Sequence, residues 1–140
     1  MNKTQISAGF RPCLTDSGTQ ATGTATAGQA LKINVGSPEG GLVFQPNVVM
    51  APHGSMLEFH FYPRNHSVVQ GMFDAACMPM QGGFYSGFYP SSSGEAPQVF
   101  TVNVQDSNPM WIYCSQVMHC QDGMAMVVNV CHRRRSPSAL

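Results

Sequence analysis

Charge is scarce in this chain. Seven Lys and Arg and seven Asp and Glu among 140 residues leave a formal net charge of zero. This excludes the basic footprint that nucleic-acid binding requires, and a strongly acidic partner surface with it. Arg133, Arg134 and Arg135 form the one basic run, which reads as a solvated tail. No apolar stretch approaches the length of a transmembrane helix, and no convincing amphipathic helical period appears. A GxSxG nucleophile elbow is missing. So are the paired C-x2-4-C spacings of structural zinc sites. With so few charges, the surface must be built from Ser, Thr, Asn, Gln and Gly, and 140 residues suffice for one domain.

Residues 113–130, YCSQVMHCQDGMAMVVNV, carry the chemistry. Cys114, His119 and Met124 follow a C-x4-H-x4-M spacing, so one loop offers a thiolate, an imidazole and a thioether. His66, in the run Asn65, His66, Ser67, Val68, supplies a second imidazole from a distant turn. Two His, one Cys and a weak axial Met are the ligand set of type 1 copper. Soft sulfur favours Cu(I), imidazole suits both oxidation states, and one site can therefore cycle between them. Zinc is the rival metal, but the few, scattered acidic residues offer no base for catalytic zinc.

Five cysteines are an odd number. With Cys114 assigned to a metal, Cys13, Cys77, Cys120 and Cys131 allow three pairings. Cys120 follows His119 directly, and on an extended loop its side chain would point away from the metal. This favours Cys77 with Cys120, and leaves Cys13 with Cys131 as a further possibility. Disulfides place the protein in an oxidising compartment. Residues 1–10, MNKTQISAGF, lack the apolar core of a secretory leader. An incomplete start would reconcile the two.

Residues 1–29, rich in Thr, Ala, Gly and Gln, read as a flexible lead-in, 30–131 as the domain, and 132–140 as a tail. Leu31, Ile33 and Val35 alternate with polar residues, as do Phe100, Val102 and Val104. Leu57, Phe59 and Phe61 form the clearest strand pattern. Its outward His60 reads as a surface residue. Short strands are also expected at 43–44, 48–51, 110–113 and 124–130. Residues 71–97, rich in Gly, Met, Ser, Pro and aromatics, read as a long irregular excursion. The expected class is all-β, a single-domain sandwich.

NHSVVQ, Cys77, GFYSGFYP and PMWIYCSQVMHCQDGMAMVVNV occur here in order. In these motifs residues 31–130 resemble the single-domain cupredoxins of fungal extracellular serine-rich proteins, which are phytocyanin-like in pattern. The resemblance implies a Greek-key β-sandwich, secretion, and one copper ion on His66, Cys114, His119 and Met124. It also implies a disulfide between Cys77 and Cys120. The C-terminal residues, CHRRRSPSAL, depart from the family's Ser-rich, anchored tail, so surface attachment is not expected for the sequence as given.

The expected function is one-electron transfer by a monomeric, non-catalytic carrier with a transient redox partner. His119, flanked by Val117, Met118 and Gln121, would be the exit for electrons. Asn65 would tie the His66 turn to the Cys114 loop, and backbone N–H groups would donate to the Cys114 sulfur. Two other classes compete. Met72, Met78 and Met80 could hold Cu(I) in copper handling, or the fold could serve as a structural wall protein. A multicopper oxidase would need far more than five histidines. Copper monooxygenase chemistry would need one at the N-terminus, whereas the first here is His53.

Overall fold

The computed structural model describes residues 10–12 and 21–132. Strands β1 (Phe10–Pro12), β2 (Gly23–Thr24), β3 (Ala30–Val35), β4 (Phe44–Gln45), β5 (Val48–Met50) and β6 (Met56–Phe61) come first. They are followed by β7 (Arg64–His66), β8 (Val69–Gly71), β9 (Tyr89–Ser91), β10 (Val99–Asn103), β11 (Met110–Tyr113), β12 (Ala125–Val128) and β13 (Val130–His132). No helix occurs among the described residues.

Two sheets make the sandwich, one in the order β10-β6-β3-β4 and the other β2-β5-β12-β11-β8. The chain passes from β4 in the first sheet to β5 in the second, then returns to β6 beside β3. That return makes β3 and β6 parallel. The same switching makes β5 and β12 parallel neighbours. Crossings of this kind are what a Greek-key sandwich requires.

Alternation in the sequence becomes alternation in burial. Along β6, Leu57, Phe59 and Phe61 are fully buried, while Met56, Glu58 and His60 are only partly covered. From β3 the inward side chains are Ile33 and Val35, and from the opposite sheet Val49, Ile112, Met126 and Val128. Each such side chain contributes about 1.5–3 kcal/mol of apolar transfer. Phe59 makes an edge-on contact with Phe44 at 6.4 Å between centroids and a tilted one with Phe100 at 6.2 Å. His60 points outward as expected, but it is bracketed by the carboxylates of Glu58 and Glu95 and keeps only 14% of its side chain exposed.

Several expectations need correcting. The segment expected to be a lead-in supplies two strands: β2 lies parallel to β5, and β1 pairs with β13. Ala25 just beyond β2 is buried. Strands of two or three residues are too short to show periodicity. The excursion is not wholly irregular, since β9 within it pairs with β7 in the register His66 opposite Tyr89. The expected last strand is broken at Asn129, whose φ is +58°. The Asn129 side chain there accepts from Ala51 N–H and donates to Ala51 C=O, both at 2.8 Å. Cys13, and with it any Cys13–Cys131 bridge, lies outside the described residues, as do the tail residues 133–140.

Candidate metal centre

The C-x4-H-x4-M segment is the connection between β11 and β12. Cys114 is the first residue after β11, Met124 the last before β12, and Cys114 N–H donates to Met124 C=O at 3.2 Å to close the loop. Period two along β11 sets Cys114 on the core face with Ile112, and turns Tyr113 to the other face with Val69 and Cys120. Between its ends the loop is a succession of tight turns rather than an extended chain. His119 N–H donates to Gln116 C=O at 2.9 Å, Gly123 N–H to Cys120 C=O at 2.9 Å, and Met124 N–H to His119 C=O at 3.0 Å.

These turns aim His119 back at Cys114, whose sulfur is 3.5 Å from His119 Nδ1. β7 delivers His66 from the other side, with Nδ1 at 3.9 Å from the same sulfur. One donor atom from each of His66, Cys114 and His119 lies within 4.8 Å of the others, and the two rings are 5.1 Å apart between centroids. Met124 is fully buried in the same packed cluster as Cys114.

The surroundings keep these donors in a metal-ready form. His66 Nε2 lies 2.9 Å from Pro63 C=O. Donation there puts the ring proton on Nε2 and leaves the Nδ1 lone pair facing the sulfur. Burial, with the His119 and Arg64 charges behind it, lowers the His66 pKa from 6.5 to about 4, although the Pro63 bond opposes the shift. Burial and Arg64 lower His119 as well, against Asp122. Both imidazoles are therefore neutral at neutral pH, as metal ligation demands. Ser67 N–H donates to Cys114 Sγ at 3.4 Å. Ser115 N–H donates to Ser67 Oγ at 2.9 Å, and the two hydroxyls pair at 2.7 Å. Asn65 Nδ2 reaches Gln116 Oε1 at 3.4 Å, joining the His66 strand to the ligand loop, while its buried Oδ1 has no hydrogen-bond partner.

Two features of the site carry no sequence signal of their own. Ser67 is hidden because any Ser beside a His looks ordinary. Gly36 looks like a mere strand breaker, yet a Cβ on it would stand 2.7 Å from His66 Nε2, and its φ is +90°. Only glycine fits there. A disulfide joins Cys77 to Cys120 across 43 residues and so anchors the loop from outside. Among the described residues Cys114 is the free cysteine, and it is buried.

The donor set fits copper. Nitrogen-to-sulfur separations of 3.5 and 3.9 Å suit one first-row ion about 2.0–2.3 Å from each donor at open, trigonal angles. Two imidazoles, a thiolate and a thioether are the type 1 combination.

No family model matches the chain. Over 104 residues it is 38% identical to an extracellular serine-rich protein of Arthroderma benhamiae, a match covering 74% of this chain and 40% of that protein. It is 36% identical over 90 residues to a probable GPI-anchored cupredoxin of the same fungus, covering 64% of this chain and 46% of the relative. The chain thus matches less than half the length of either. Auracyanin A, a "blue" copper protein from Chloroflexus aurantiacus, superposes with a TM-score of 0.55 at 12% identity, over 73% of this chain and 98% of that one. The sandwich is the cupredoxin fold. Within that class the chain resembles, in sequence, the fungal extracellular serine-rich proteins.

Proposed function

We propose that this domain is a type 1 copper protein that carries single electrons, with His66, Cys114, His119 and Met124 as its ligands. The observation that carries the proposal is the convergence of two imidazole Nδ1 atoms on one buried thiol, from residues 48 and 5 positions away in sequence. Copper held there supplies a one-electron couple. The chain's own residues do the rest.

His66 and Cys114 are fully buried, which keeps bulk water away from the sulfur and supports a carrier. Ser67 N–H, aimed at Cys114 Sγ, stabilises negative charge on the thiolate. The Pro63 carbonyl and the Asn65 to Gln116 contact hold the donors in place, so little needs to rearrange when charge changes.

His119, 9% exposed, is the ligand edge that reaches the surface. Beside it Val117 is 79% and Met118 55% exposed. An open groove of about 330 Å3, lined by Tyr113, Gln116, Val117, Met118 and Gln121 among others, runs along the loop. An uncharged, partly apolar rim suits a brief redox encounter, which needs little area. Secretion is the reading that the Cys77–Cys120 disulfide supports.

The test is to add one equivalent of Cu(II) and record visible absorption and electron paramagnetic resonance spectra. An intense blue band with narrow copper hyperfine splitting is expected, and both disappear in Cys114→Ala. A pale spectrum that the substitution leaves unchanged overturns the proposal.

A further inference from the structure

Met72, Met78 and Met80 lie outside the centre described above. After β8 the chain turns back on itself, and Gly71 faces Pro79 in an isolated antiparallel bridge. Met72 N–H donates to Met78 C=O, and Met80 N–H to Gln70 C=O, both at 2.9 Å. In this register Met72 stands opposite Met78, and Gln70 opposite Met80. Residues two apart on a strand share a face. All three methionines therefore project from one face of the ladder, while Gly71 turns the other way, toward the Tyr113 ring.

That face is open to solvent: Met72 is 38% exposed, Met78 53% and Met80 47%. Methionine as core filler would be covered. Directly opposed Cβ atoms stand about 4.5–5.5 Å apart and diagonal ones about 7–8 Å, and each thioether swings on three rotatable bonds. Three sulfurs can thus close on one ion without moving the backbone. The Cys77–Cys120 disulfide, immediately before Met78, ties down the turn that brings the two arms together.

We propose that this ladder face is a second metal site, selective for Cu(I) and held by the thioethers of Met72, Met78 and Met80. Soft, neutral sulfur ligands favour Cu(I) over Cu(II) and over zinc. Thioethers have no proton to lose, so acid does not compete with the metal as it does at imidazole and thiolate. The site does not depend on the His66, Cys114 and His119 centre.

The experiment is an anaerobic Cu(I) titration of the full chain against a chromophoric cuprous chelator. Wild type should take up two equivalents, and the triple variant Met72→Leu, Met78→Leu, Met80→Leu only one, with its blue Cu(II) band intact. In a parallel measurement, Ag(I) as a redox-silent probe is followed through the labelled methionine methyl resonances at pH 7 and pH 4. The methyls of residues 72, 78 and 80 should shift at both pH values. A triple variant that takes up as much Cu(I) as wild type, or methyls that ignore Ag(I), overturns the proposal. Absence of the blue band with retention of the Leu-sensitive equivalent would instead overturn the electron-transfer reading alone.

Discussion

The middle of the sandwich and its metal end are built by different means. In the middle, β3 and β6 pair over their whole length and bury alternate residues, Ile33 and Val35 from one and Leu57, Phe59 and Phe61 from the other. Those inward side chains are apolar, so hydrophobic burial decides the arrangement. At the metal end, the contacts are single polar links between residues far apart in sequence: Ser67 with Ser115, Asn65 with Gln116, His66 with Cys114. Three of the four described non-glycine residues with positive φ, namely Arg64, Cys77 and Met118, are in this region. Such conformations persist only where surrounding structure imposes them. The middle thus supplies stability, and the metal end uses it to hold donors in a geometry that local preference would not select.

This division can be broken from either side. The largest effect is expected in the middle: Phe59→Ala should cost about 3–5 kcal/mol in urea unfolding, while still binding copper with a blue band below its transition. Loss of the band from a folded Phe59→Ala protein would show that the two regions are not separable.

Acid should act on the metal end next. The His66 pKa is about 4 in the fold against an ordinary 6.5, so between those values the unfolded chain binds the proton more readily. Stability of the metal-free protein should therefore fall as pH drops from about 6.5 to about 4, by roughly 3 kcal/mol for this group. Urea unfolding at the two ends of this window measures it. The loss should shrink in His66→Gln, and an equal loss in that variant would remove His66 as the cause.

Gly36→Ala should cost more than about 1 kcal/mol, the strain of an L side chain at a φ of +90°, and should act selectively on the site. Its new Cβ, 2.7 Å from His66 Nε2, displaces the ring from Pro63 C=O. Copper affinity should fall about 10–100-fold, the cost typical of losing a partner behind a metal ligand. Competition against a copper chelator reads this out. Unchanged affinity would mean that the His66 turn gives way freely.

The strands in the middle are legible because burial on one face forces a period of two. Leu57, Phe59 and Phe61 declare β6 by their spacing alone, and Leu31, Ile33 and Val35 declare β3. The metal donors are legible for a different reason: thiolate, imidazole and thioether are rare in combination, and their spacing in one loop is unusual. Ser67 and Gly36 are not legible, since their roles exist only through a ring brought in by β7. Alternation along an extended loop points to the Cys77–Cys120 pairing, and the bridge is present even though the loop is a chain of turns. β2 and β9 leave no trace in the sequence because strands of two or three residues have no period to detect.

Which faces of the long strands are buried and which atoms could bind a metal can be read from the residues alone, because hydrophobic periodicity and ligand chemistry are properties of residues. Tertiary structure alone decided that His66 Nδ1 and His119 Nδ1 meet at Cys114, which nitrogen of His66 is left bare, and which methionines share an exposed face. Those outcomes depend on register and turn geometry between segments dozens of residues apart, and no local preference encodes them.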